Sequence, residues 1–392
     1  MSEINSSNFK KEHGDLAPDL VGVTELTSPY FFVPPSGTTA ERPSDCEPGT
    51  LRFNTDIGSL EVFRGKTIGW ESIQRRDGQY LGGGEQSNKG TGTRGLMMGG
   101  SDNSDNERDE IEFLTISTLG NTQDFGDLLQ GTRQGCGLSN STRAIRVAGY
   151  DGSSHLNVID FVTIASTGDA TDFGDMPEVR LGFPSALANE VRGVVCLGET
   201  SNPTGNIDDL DYVTIASTGN AVAFGEGYAS AQQSTAGGST TRGIYCGGKA
   251  PGFKNNIDFI TIMSTGNGTD FGDLTDTTGG GPRGQTSNAT RMLIYGGSNP
   301  SSDYVNSITF LTIATLGNTV DFGDTSDGKS FCSAMCSKTR GVYAGGRTAP
   351  NDDSVNIIEF VEIATTGNTQ DFGDMAQTTE GSFGVSSGHG GL

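Results

Sequence analysis

Asn256-Ile257-Asp258-Phe259-Ile260-Thr261-Ile262-Met263-Ser264-Thr265-Gly266-Asn267, followed by Thr269-Asp270-Phe271-Gly272-Asp273, is the stretch that decides the fold. Something close to it occurs six times. Each copy follows a short segment with an arginine and a glycine pair, plainest in Thr241-Arg242-Gly243-Ile244-Tyr245-Cys246-Gly247-Gly248. These arginines are Arg94, Arg143, Arg192, Arg242, Arg291 and Arg340, at steps of 49, 49, 50, 49 and 49 residues. The acidic motif supplies Phe125, Phe173, Phe224, Phe271, Phe322 and Phe372.

A period of about 50 residues marks a kelch-type propeller, one repeat per blade. The doublets Gly99-Gly100, Gly247-Gly248, Gly296-Gly297 and Gly345-Gly346 resemble the kelch double glycine. Ala148-Gly149 and Leu197-Gly198 depart from it, and Asp-Phe-Gly-Asp stands where a kelch blade carries its late aromatic signature. The expected fold is all-β: a six-bladed, kelch-like β-propeller of four-stranded blades over residues 93–392. In the last unit strand a is expected around 331–336, b at 341–344, c at 358–363 and d at 371–374. Strands b and c carry apolar residues in succession, as in Ile159, Phe161, Val162 and Ile164, so both faces should be buried. Ser-Thr-Gly-Asn (217–220 and 264–267) should join c to d as a two-residue hairpin turn, with Gly and Asn at positive φ. Strand a recurs after the last unit, as Phe383-Gly384-Val385-Ser386-Ser387-Gly388. That C-terminal strand is expected to complete the first blade and close the ring.

Sixfold recurrence argues for scaffolding over catalysis. Each arginine should pair with acidic or carbonyl groups within or between blades, and each phenylalanine should fill the space between them. Variation falls in the b-to-c loops (101–109, 151–156, 199–205, 249–255, 298–304 and 347–354) and the d-to-a loops, expected together on one face. Loops on a rigid frame can change without disturbing the core, as binding surfaces require. The binding candidates there are His155, Lys249, Phe253, Lys254, Tyr304 and Arg347.

The 392 residues include 60 glycines, and 48 acidic residues against 25 basic ones give a formal charge of -23. That charge repels phosphate backbones and anionic headgroups, so no nucleic acid is expected as a partner. With no long apolar run and no basic-then-apolar leader, neither membrane insertion nor export is expected. Cys196 and Cys246 share one strand position, which marks buried thiols and not a disulfide framework. Cys332 and Cys336 lack partnering ligands nearby, so zinc is not expected. No cofactor is expected, calcium being the one metal that so acidic a chain invites. His13, His155 and His389 are widely separated and Trp70 is the sole tryptophan, so neither copper ligands nor sialidase boxes are present. No catalytic residue is assigned, although a carboxylate pair for glycoside cleavage stays open.

The N-terminal quarter differs. Residues 1–35, with the apolar knot Tyr30-Phe31-Phe32-Val33, are expected to form an extended docking arm, and 77–92 a glycine-rich linker. Between them Gly37-Thr38-Thr39-Ala40-Glu41-Arg42-Pro43 leads into Gly49-Thr50-Leu51-Arg52-Phe53-Asn54-Thr55-Asp56-Ile57-Gly58-Ser59-Leu60-Glu61-Val62-Phe63 and Trp70. Leu51 and Phe53, like Leu60 and Val62, alternate with polar residues around Asp56-Ile57-Gly58, a hairpin pattern that Trp70 should cap. Residues 36–76 resemble the module of bacteriophage tail fibres and other virion proteins that reads roughly GTTAERP…GxLRFNTDTGxLEVxxGxxW. The resemblance implies a virion protein assembled in the host cytoplasm, non-enzymatic, of the tail-fibre or appendage kind. Expected partners are other virion proteins through residues 1–76, a host cell-surface glycan or protein through the propeller, and further copies of the chain in a homo-oligomer. The alternatives are a capsid head fibre or decoration protein, and a carbohydrate-degrading propeller enzyme.

Overall fold

The computed structural model describes residues 34–43, 46–56, 59–67, 69–72, 93–180, 182–201, 204–275, 284–301, 303–349 and 352–392. Nearly all of the expected arm and the whole expected linker lie outside these residues. Contacts divide the chain into two units, Met1–Arg75 and Arg76–Leu392.

In the first unit Leu51–Asn54 pairs antiparallel with Ser59–Phe63, Leu51 facing Val62 and Phe53 facing Leu60. Ser36–Gly37 adds a parallel edge and Trp70–Ser72 an antiparallel one. The expected hairpin is therefore present, but two details differ. Trp70 does not cap the sheet from outside; it is itself a strand residue, packed on Phe63 with ring centroids 5.5 Å apart. The buried side of the hairpin is the polar one: Arg52, Asn54 and Glu61 are buried, while Leu51 is 42% and Phe53 37% exposed. The cause is one carboxylate. Glu61 accepts from Arg42 and from Asn54 Nδ2 at 3.0 Å, with Arg52 4.0 Å away. A buried charge that is paired and hydrogen-bonded outcompetes apolar burial for that face.

The second unit is all-β, with no α-helix among the described residues. Among the described residues it contains six four-stranded antiparallel sheets and one small three-stranded sheet. The fourth-unit sheet shows the plan: Thr235–Gly238 (a), Arg242–Cys246 (b), Asn256–Thr261 (c) and Thr269–Asp273 (d), hydrogen-bonded in that order. In the sheet of Arg94–Met98, Glu110–Thr115 and Gln123–Asp127, strand a is Phe383–Ser386 from the other end of the chain, with Phe383 opposite Met98. The b strands are buried along almost their whole length. Such sheets are consistent with a β-propeller-like fold.

The recurring motif acquires its meaning between sheets. Six apolar clusters lie between consecutive sheets, and each motif phenylalanine sits in one, 2–3% exposed. The expected two-residue hairpin at Ser-Thr-Gly-Asn is not formed. Strand c ends at Thr261, strand d begins at Thr269, and the chain between them straps onto the preceding sheet. Gly266 N donates to Phe224 O (2.9 Å), Gly268 N donates to Glu226 O (2.7 Å), and Asn267 Oδ1 accepts from Glu226 N (3.1 Å). Glycine uses positive φ there (Gly266, 154°), and asparagine does not. The same strap recurs down to the last pair, where Gly120 N reaches Phe372 O (2.9 Å). It also explains the glycine of Asp-Phe-Gly-Asp: a Cβ on Gly272 would stand 2.5 Å from Gly317 O. The first acids of the motif, such as Asp270 and Asp371, are exposed on the outermost strand, where charge discourages edge-to-edge pairing.

The unit arginines are joints of the same kind, and they choose carbonyls over the motif acids. Arg242 Cζ lies 4.6 Å from the Phe259 ring centroid of its own sheet, while Nη1 donates to Ile313 O of the next sheet at 2.8 Å. Arg340 repeats this with Phe360 and Ile116 O, linking the last sheet to the first. A charged hydrogen bond contributes about 1.5–3 kcal/mol and a desolvated cation–π contact up to about 2. Arg242→Met is therefore expected to cost roughly 2–4 kcal/mol, read from the urea midpoint of the full chain. A midpoint matching wild type would remove the joint from this account.

The two units without a glycine doublet hold the same backbone. Ala148 and Leu197 have φ of 59° and 60°, matching 60° at Gly99 and Gly296. The second glycine is kept throughout because the d-to-a segment runs against it: a Cβ on Gly149 would meet Thr132 Oγ1 at 2.3 Å.

One further position differs among the sheets. The residue before the strand c aromatic is Glu112, Asp160, Asp211, Asp258, Thr309 or Glu359. Asp160 is paired with Arg146, with Nε donating at 3.0 Å and Nη2 at 2.6 Å, both side chains fully buried. Asp211 is paired with Arg180, and Glu359 accepts from Lys329 Nζ at 2.7 Å. Asp258 is 4% exposed, and its Oδ1 is buried without a hydrogen-bond partner among the described residues. Burial, with Asp270 nearby, pushes its carboxyl up to about 7.

All six cysteines are free thiols, five of them buried. Burial pushes Cys332 up to about 12 and Cys336 up to about 11, which leaves them unreactive at neutral pH.

Candidate binding site at the channel mouth

The a strands pack against one another in cyclic order and enclose a narrow channel. Small residues, among them Gly137, Ala186, Ala334 and Gly384, line it together with Gln285 and Met335. At one end the turn His389–Gly391 closes it, His389 Nε2 lying 2.7 Å from Ser139 O. Desolvation holds that imidazole below its usual pKa.

At the other end two rings meet. Phe183 and Phe331 have centroids 5.2 Å apart, tilted by 53°. They belong to sheets that are not neighbours, and each stands just before its a strand. That position has left-handed backbone wherever it is described: Gln134 (φ 65°), Phe183 (55°), Gln233 (58°), Phe331 (61°) and Gly381 (62°). For a side chain other than glycine this conformation costs about 1–2 kcal/mol, and bulky residues adopt it only where the surroundings impose it. Hydrogen bonds tie this position to the neighbouring unit, with Gln233 N donating to Gly182 O and Gly381 N to Phe331 O.

Above the rings lies a cavity of about 260 Å³, walled by Arg133, Arg347, Asp105, Glu380, Ser101 and Gln134. Its charges alternate. Arg133 donates to Asp105, Arg347 Nη2 lies 3.7 Å from the same carboxylate, and Arg347 Nε donates to Glu380. Glu380 is nearly buried, and Ser101 Oγ donates to it at 3.4 Å. Asp105 is 63% exposed and reachable from solvent. No model of a known protein family matches the chain, and no curated protein matches it. The chemistry of this mouth therefore rests on its own geometry.

Of the six residues singled out from the sequence, the structure brings Arg347 alone to the cavity wall. His155 stacks on Tyr150 with centroids 4.8 Å apart, and partial burial lowers its pKa. Lys249 lies over Phe253 at 5.6 Å, and Lys254 N donates to Gly248 O at 2.9 Å, so all three brace one loop. Tyr304 donates to Asp352 Oδ1 at 2.7 Å, and burial, together with that carboxylate, pushes its hydroxyl up to about 12. These side chains sit on loops that prove to be short hairpins: Lys249 bridges both Gln232 and Phe253, and Ser298 bridges Tyr304. Arg133, Phe183 and Phe331 were missed. Their signal was available: they stand at or next to one fixed offset before each a strand, where the side chain changes from unit to unit.

Proposed function

We propose that this chain is a non-enzymatic structural protein of a bacteriophage virion, tail-fibre or appendage-like. In this reading it is a six-bladed, kelch-like propeller closed by its C-terminal strand and attached to other virion proteins through residues 1–76. One observation carries the propeller reading: the same strap and the same arginine bond join each sheet to the next, the last to the first included. The attachment reading draws on the first unit. Arg42, Arg52, Asn54 and Glu61, all within the stretch that resembles the phage module, form one polar cluster in which the last three are buried. Their burial turns Leu51 and Phe53 outward beside Leu60 and Val62, an apolar face of the kind that marks an interaction site.

The propeller would then present its variable face to a host surface or a neighbouring subunit. Full-length protein carrying a fluorophore is expected to label susceptible cells and leave receptor-negative cells dark. Absence of labelling, with immunogold on the capsid, would favour a head fibre or decoration protein. New reducing ends released from host envelope polysaccharide would overturn the non-enzymatic assignment.

A further inference from the structure

We infer that the cavity above Phe183 and Phe331 is a saccharide site that takes one neutral pyranose ring. The inference deepens the host-surface reading, and rests on it for the source of the sugar. Three features of the cavity select this chemistry. The floor is aromatic: half-buried Phe331, with Arg347 Cζ 5.7 Å from its ring centroid, packs on the buried Phe183, so an apolar ring edge is available to the C–H face of a sugar. The walls carry planar, bidentate groups. A carboxylate accepts and a guanidinium donates in pairs, the pattern that two vicinal hydroxyls present. The groups are already braced, because Asp105 bridges Arg133 and Arg347, and Glu380 anchors Arg347, so little order is lost when a ligand arrives.

Charge narrows the class further. Two arginines face two carboxylates in the wall, and Glu107 lies 3.3 Å from Arg133 as well, so an anionic ligand finds no unbalanced partner. The cavity, about 260 Å³, lies below the roughly 300–1,000 Å³ of pockets for drug-sized ligands. It suits a single ring or a chain terminus and excludes the flank of a folded partner.

The test uses the full chain and saturation-transfer NMR with methyl glycosides of glucose, galactose, mannose, N-acetylglucosamine and rhamnose, followed by titration of the strongest binder. At least one probe should bind. Phe331→Ala and Asp105→Asn should each weaken it about tenfold or more, while Tyr304→Phe, outside the cavity, should not. Asp105 is 63% exposed but bridges two arginines, so thermal melts check the fold of both Asp105→Asn and Phe331→Ala. No binding by any probe, or equal affinity in both variants, would overturn the site. Cell labelling separates the two readings. Labelling kept by the double variant would leave host binding standing through another surface. Saccharide binding without cell labelling would leave the site standing and remove the host-surface role. Binding of a lysine- or arginine-rich peptide in preference to every glycoside would overturn the charge argument.

Discussion

Removing residues 380–392 is expected to leave the second unit without a cooperative thermal transition near that of wild type. The segment contributes strand Phe383–Ser386, with Phe383 and Val385 each 4% exposed. Burying two such side chains is worth about 1.5–3 kcal/mol apiece, and each ladder hydrogen bond about 1 kcal/mol. Loss of Glu380 also leaves Arg347 with Asp105 alone, and loss of His389 removes the contact to Ser139 O at the far end of the channel. Together these reach roughly 8–10 kcal/mol, most of the 5–15 kcal/mol that stabilises an ordinary domain. The cut also bares Arg94–Met98 as an edge strand, so aggregation should accompany unfolding. Calorimetry of the truncated and full chains decides the matter. A transition within a few degrees of wild type would show that the terminal strand is dispensable.

Asp258→Asn and Asp160→Asn should move stability in opposite directions, although the two positions are equivalent in their sheets. In the unfolded chain the Asp258 carboxyl ionises near its ordinary 3.8, and in the fold at about 7. Between those values the folded protein holds a proton that the unfolded chain has released. Stability from this site is therefore greatest at low pH and is lost as pH rises through the window. At about 1.4 kcal/mol per pH unit the loss is about 4 kcal/mol above pH 7. Asp258→Asn removes that loss, and the variant should be the more stable protein at pH 8, with an advantage that shrinks to about 1.7 kcal/mol at pH 5. Asp160→Asn leaves Arg146 buried and uncompensated, which should cost about 3–5 kcal/mol. Guanidinium unfolding at both pH values provides the comparison; parallel pH profiles for wild type and Asp258→Asn would refute the raised carboxyl.

The sheet ladder was legible because strand periodicity is local. Short apolar runs bounded by glycine and polar turns place Asn256–Thr261 and Arg242–Cys246 without reference to anything distant. The first unit shows the limit of that reasoning. Alternation at Leu51 and Phe53 announced a strand but did not say which face is buried, which the pairing of Arg42, several residues upstream, with the buried Glu61 decides. The candidate site was less legible still. Phe183 and Phe331 are far apart in the chain, and nothing around either residue predicts a left-handed phenylalanine. Only the packing of non-neighbouring sheets brings them together.

Taken alone, the sequence determined the period, the approximate strands within each unit, and the destination of the last strand. Repetition makes these readable, because six copies separate what every unit needs from what varies. The tertiary structure alone decided what each constant residue touches. Gly272 is required by a carbonyl of the next sheet, and Arg242 by another carbonyl there. It also decided which variable residues converge, setting Arg133 and Arg347 around two strained rings while leaving Lys249 and Tyr304 on their own loops. The physical reason is separation along the chain. Contacts made across about one repeat or more depend on how the sheets assemble, which no local pattern of side chains encodes.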